Sequence, residues 1–145
     1  MRHNNARDQL IDAANEDNGF AITLLGVYLI NSQEDVEAGT NLIMLAADAK
    51  NVLWAKSLRL YLQGFGDRCE IPIESHALLD SYAREQLERY AAGKDIWAMT
   101  VLGNLLYHGR VLPRDIETAR TLLCQASNMG CLFAAELLEE YELTE

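Results

Sequence analysis

Three histidines, three cysteines and one double-glycine turn are the residues of this chain whose types could do chemistry. His3, His76 and His108 lie far apart, and none stands in a His-x-x-x-His or Cys-x-x-Cys spacing, so no zinc site is predicted. A nucleophilic cysteine-histidine pair could arise only by tertiary proximity, bringing His108 to Cys124 or Cys131. Gly64-Phe65-Gly66 lacks the further glycines and the lysine of a phosphate-binding loop and reads as chain reversal. The carboxylates of Glu136, Glu139 and Glu140 fall on a terminal helix, where they keep an uncovered face soluble or meet a basic partner. No catalytic residue, metal site or cofactor is expected, and the chain reads as a non-enzyme.

Charge narrows the partners. The formal net charge is -10, about -4 over residues 1–72 and -6 over 73–145, with no cluster of Lys and Arg to neutralise phosphates. Nucleic acid and anionic membrane are therefore not expected as partners. An acidic surface suits a basic protein steered in by charge, and it equally suits a protein that is simply well solvated. Cys69, Cys124 and Cys131 are an odd number, the first residues lack the apolar core of a signal peptide, and no apolar run approaches a membrane span. A cytoplasmic protein with free, buried or half-buried thiols is expected.

The elements that position these residues are marked by an aromatic residue followed by alanine, which recurs at Phe20-Ala21, Trp54-Ala55, Trp97-Ala98 and Phe133-Ala134. The gaps between the alanines are 34, 43 and 36 residues, a period that marks a repeat protein whose units bury their apolar faces against each other. Each pair opens an apolar pattern at spacings of three and four, which predicts A helices at 20–31, 53–64, 96–108 and 131–142. Counting back 15, 8 and 4 residues finds a second series: Ala119, Ala126 and Gly130; Thr40, Ala47 and Asn51; Ala6, Ala13 and Asp17. The third unit fits less well, with Ala83, Tyr90 and Lys94. These are B helices, the first of which lacks an A helix of its own.

The breaks have physical causes. Gly130, Asn51 and Gly93 are placed to end helices in a left-handed residue. Pro72 and Pro113 fall between an A helix and its B helix, where a missing N–H costs nothing. Asp115 and Asp35 are suited to cap the helices that follow them. No alternating run bounded by turn dipeptides supports a strand.

The stretch Ala98 to Asp115, with Leu102-Gly103, Tyr107, Gly109 and Pro113, then Ala119, Ala126, Gly130 and Ala134, resembles the Sel-one-like repeat (SLR), a relative of the tetratricopeptide repeat. The first unit keeps Ala21, Leu25, Gly26 and Ala47 with a shorter loop. The second has Arg59-Leu60 in place of Leu-Gly and an insertion around Arg68 to Ser75. The resemblance implies an all-α, right-handed αα superhelix of about eight helices: a half unit at 3–18, units at 19–51, 52–94 and 95–130, and a terminal helix at 131–142. Some secreted members bridge the two helices of a unit with cysteine pairs, but here only Cys131 stands in such a position.

The resemblance also implies that A helices line a concave binding face. Positions two, six and ten after each anchor alanine then point to it, giving Thr23, Ser57, Thr100 and Glu136, then Val27, Tyr61, Asn104 and Glu140, then Asn31, Phe65 and His108, with Arg59 beside them. Exposed aromatics of this kind are favoured interface anchors. The expected function is a non-catalytic protein-binding adaptor or regulator, monomeric or homodimeric. The alternatives are an immunity or antagonist protein neutralising a basic toxin or effector, and a self-associating structural module.

Overall fold

The computed structural model describes the backbone of residues 2–65, 73–108 and 113–143, and the side chains of 5–59, 81–108 and 113–143. The protein is all-α. Among the described residues there are eight helices and no strand: α1 Arg2–Asn15, α2 Gly19–Asn31, α3 Val36–Ala49, α4 Leu53–Phe65, α5 Ile73–Ala92, α6 Ile96–His108, α7 Ile116–Asn128 and α8 Leu132–Glu140. None of the described helices is long and apolar enough to cross a membrane. The four expected A helices are α2, α4, α6 and α8, and α5 is the long B helix of the irregular second unit. Cys69, Pro72 and the loop expected near Gly109 lie outside the described residues.

Helix ends follow one rule. The residue four positions before each anchor alanine adopts a left-handed backbone: Asp17 (φ 69°), Asn51 (φ 55°), Lys94 (φ 73°) and Gly130 (φ 103°). At the third of these the left-handed residue is Lys94 and not Gly93, because the chain needs one fixed step into the next helix and Gly93 stands one residue too early. Asp35 and Asp115 cap α3 and α7, accepting the N–H of Ala38 at 3.0 Å and of Thr118 at 3.1 Å. Asn18 caps α2 through the N–H groups of Phe20 and Ala21, and Asp95 caps α6 through those of Trp97 and Ala98.

The chain divides into two compact units, one of residues 1–13 and 87–145, the other of residues 14–86. In the second, α2 is buried on every side from Phe20 to Gly26, as expected of a helix covered all round. A Cβ on Gly26 would stand 2.7 Å from the carbonyl oxygen of Gly39, and one on Gly39 would stand 2.6 Å from that of Gly26. Two glycines thus set the α2–α3 distance. In the first unit α6 is buried from Trp97 to Gly103 and Gly103 meets Leu123 of α7, while α7 buries Ala119, Leu123 and Ala126.

Each unit is fastened by a glutamine. In the second unit Gln86, almost fully buried, accepts the N–H of Leu53 at 2.8 Å and donates to the carbonyl of Asn51 at 2.9 Å. In the first, Gln9 of α1 accepts the N–H of Leu132 at 2.8 Å and donates to the carbonyl of Gly130 at 2.8 Å. The B helix expected as a half unit at 3–18 therefore meets the start of α8, and among its described residues Ala6, Leu10 and Ala13 are buried.

The matching bonds expose an internal duplication. Ala6-Arg7-Asp8-Gln9-Leu10 corresponds to Ala83-Arg84-Glu85-Gln86-Leu87, and Phe20-Ala21, Thr23 and Leu25-Gly26 to Trp97-Ala98, Thr100 and Leu102-Gly103, all 77 positions later. Helices α1 to α4 thus repeat as α5 to α8. In this pairing the alternating gaps of 34, 43 and 36 residues are one irregular step between two copies, with Ala55 and Ala134 falling 79 positions apart.

Candidate functional site

Asn104, Tyr107 and His108 lie on one stripe of α6, at the three- and four-residue spacings that share a helix face. Tyr141 is brought to them by the end of α8, where it caps the helix and its backbone N–H donates to Leu137. Its ring stacks on Tyr107 with centroids 3.8 Å apart and planes 4° from parallel. His108 stands edge-on to both rings, at 5.3 and 5.4 Å. The Arg114 guanidinium lies 5.4 Å from the Tyr107 centroid, close enough for a cation–π contact.

The polar edge of this cluster is ordered. The Tyr141 hydroxyl donates to Asn104 Oδ1 at 2.5 Å and lies 2.9 Å from His108 Nε2. One phenol carries one proton, so with that proton on Asn104 the His108 Nε2 must carry its own hydrogen and donate. Burial, then the neighbouring Glu140 charge and then Tyr107, hold the Tyr141 phenol well above its ordinary titration range. At neutral pH Tyr141 therefore acts as a fixed hydrogen-bonding group and not as a general base. The site is a rigid aromatic shelf with His108 and Arg114 exposed at its rim.

Asn104 and His108, expected on the binding face, come together here, and Glu140 is exposed on the adjoining turn of α8. Glu136 is half-buried in α8. Thr100 must be removed from the set: it is fully buried, and its hydroxyl donates to the Ile96 carbonyl at 2.8 Å and lies 3.4 Å from Cys131 Sγ. Thr23 and Ser57, at the same register, are buried too. A threonine that returns its hydroxyl to its own helix needs no solvent, so at positions 23, 57 and 100 this register belongs to the core, while Glu136 is half-buried. Arg59 is half-buried and paired with Asp48 in the second unit. The side chains of Tyr61 and Phe65 lie outside the described residues.

Tyr107, Tyr141 and Arg114 were not among the expected site residues. The duplication gives a signal for Tyr107 alone: Asn104, Tyr107 and His108 stand where the first copy has Val27, Ile30 and Asn31, whereas Tyr141 and Arg114 join them only in three dimensions. The scaffold residues repeat while this stripe does not. Cys131, by contrast, is structural: it is buried at the start of α8, its sulfur accepts the N–H of Ala134 at 3.4 Å, and burial pushes its thiol up. Cys124 and Cys131 are free thiols. Among the described residues no group of three or more His, Cys, Asp or Glu is placed to hold a metal.

Comparison with protein-family models, curated proteins and solved structures finds no match.

Proposed function

We propose that the chain is a non-catalytic protein-binding module built from SLR-like hairpins, with the Tyr107–Tyr141 shelf as its contact surface. The observation that carries this reading is that Asn104, Tyr107 and His108 replace Val27, Ile30 and Asn31 of the first copy, while the aromatic-Ala pair, the threonine and the Leu-Gly pair on the same helix repeat. A stripe that repeats serves the fold; one that does not repeat is open to another use. Stacked tyrosines beside an arginine make a preordered anchor that loses little side-chain freedom on contact. The net charge of -10 favours a basic protein as partner, with charge acting mainly on the rate of encounter.

The test is affinity capture with the immobilised protein, followed by titration of what is captured onto the unmodified chain and onto Tyr107→Ala and His108→Ala. Binding is expected to weaken at least tenfold in Tyr107→Ala, with the melting transition retained and the association rate falling as salt is raised. Equal binding by both variants would remove the shelf from the interface. A measured turnover of a small molecule by the unmodified chain would replace the reading altogether.

A further inference from the structure

Tyr107 and Tyr141 are 34 positions apart in the chain (141 minus 107), yet their rings lie face to face with centroids 3.8 Å apart and planes 4° from parallel. Aromatic pairs commonly settle with centroids about 4.5 to 7 Å apart. These rings are closer, and three neighbours hold them there. His108 stands edge-on to both, the Tyr141 hydroxyl is tied to Asn104 Oδ1 and His108 Nε2, and the Arg114 guanidinium lies over the Tyr107 ring.

Two phenols in face contact are placed for one reaction, oxidative coupling. A one-electron oxidant takes an electron from each ring and each hydroxyl gives up its proton, leaving two tyrosyl radicals with unpaired spin on the carbons ortho to oxygen. Those carbons bond through their π faces, and the ortho hydrogens then move to the oxygens and restore both phenols. With hydrogen peroxide as the terminal oxidant, two phenols and one peroxide give one biphenol and two waters. Tyrosyl radicals are short-lived, so the partner already in contact is the one that reacts. Both side chains are half-buried, which keeps them within electron-transfer reach of an oxidant at the surface and away from the phenols of other molecules.

We propose that Tyr107 and Tyr141 are an oxidative modification site, coupled ortho to ortho into an intramolecular dityrosine by a one-electron oxidant of the peroxidase and peroxide class. The new bond ties α6 to the end of α8 and fixes the shelf in one arrangement. Exposure alone points elsewhere: Tyr82 and Tyr90 are 49% and 48% exposed and meet an external oxidant first. Coupling governed by exposure links those residues between molecules. Coupling governed by the stack links Tyr107 to Tyr141 within one.

The experiment treats the unmodified chain with a haem peroxidase and hydrogen peroxide, reduces any disulfide, digests with trypsin and weighs the peptides. Cleavage after Lys94, Arg110 and Arg120 places Tyr107 on peptide 95–110 and Tyr141 on peptide 121–145. The expected product is these two peptides joined with the loss of two hydrogens, in a yield per chain that does not change as the protein is diluted. Oxidation of sulfur at Met129 or Cys124 adds oxygen instead and is told apart by mass. Dityrosine fluorescence of the monomeric product is expected to be lost in Tyr107→Phe and in Tyr141→Phe. Absence of the joined peptides from the unmodified chain, or their formation only between molecules, overturns the proposal, as does monomer fluorescence that persists in both variants. The peptide measurement needs no variant and decides the matter even where a variant fails to fold. No partner takes part, so failure here leaves the reading of the shelf as a contact surface standing.

Discussion

Gln9 and Gln86 make the same two hydrogen bonds, each to a left-handed residue's carbonyl and to the N–H at the start of the following helix. Their correspondence defines the two copies of the module more sharply than the aromatic-alanine pairs do. An amide side chain is suited to this task because it offers a donor and an acceptor side by side. Gln86→Ala is expected to cost about 1–3 kcal/mol, since it strands two backbone groups in a nearly buried place. Denaturant unfolding gives the magnitude; faster amide exchange at Leu53 would locate it.

The close approach of α2 and α3 makes a second prediction. Gly26→Ala and Gly39→Ala each push a methyl against the other residue's carbonyl and are expected to destabilise by about 1–3 kcal/mol. Gly93→Ala provides the contrast, because its added Cβ would meet only ordinary contacts at 3.5 and 3.7 Å. Thermal melts that rank Gly93→Ala with the other two would contradict the packing argument.

Alkaline pH should weaken the first unit. Cys131 and Tyr141 both have folded-state pKa values raised above the ordinary 9.0 and 10.0. The unfolded chain therefore gives up these protons first, so their contribution is complete below about pH 9 and is lost as pH rises further. Cys131→Val, which installs the residue found at the matching position 52, is expected to remove the thiol part of that loss. Denaturation midpoints at pH 8 and pH 10.5 for the two proteins measure the difference, and parallel declines would show that the thiol is not responsible.

Helix capping supplies a further check on the duplication. Asn18→Ala and Asp95→Ala each strand the same pair of first-turn N–H groups and are expected to cost about 1 kcal/mol. Similar losses at both sites, read from urea midpoints, are the expected outcome. A tenfold smaller effect at one would break the equivalence.

Tyr141→Phe keeps the stack on Tyr107 and deletes the hydroxyl shared with Asn104 and His108. Its expected cost is about 0.5–1.5 kcal/mol, and the His108 ring resonances should broaden or shift as the histidine loses its fixed partner. Unchanged histidine resonances would show that the hydroxyl does not order the shelf.

The amino-acid pattern alone determined the eight helices and most of their ends, because caps, left-handed turns and apolar stripes act over a few residues. Asp35 and Asp115 were legible as caps for that reason, and the count-back of four from each anchor alanine reached the left-handed residues Asp17, Asn51, Lys94 and Gly130, though not Gln33 or Glu142. The register of Thr100 was misread because a buried hydroxyl bonded to its own helix looks polar in sequence and costs little in the core. Only the tertiary structure decided that α1 is seated at the start of α8 and that Tyr141 meets Asn104 and His108. Those partners are separated by 33 to 123 residues, and nothing local to either side chain encodes the other. The Ala-Arg-acid-Gln-Leu key stands twice in the chain, at Ala6–Leu10 and Ala83–Leu87, yet the count of aromatic-alanine pairs passes over it. Its meaning required the seat, because a glutamine amide takes its role from the two backbone groups it reaches.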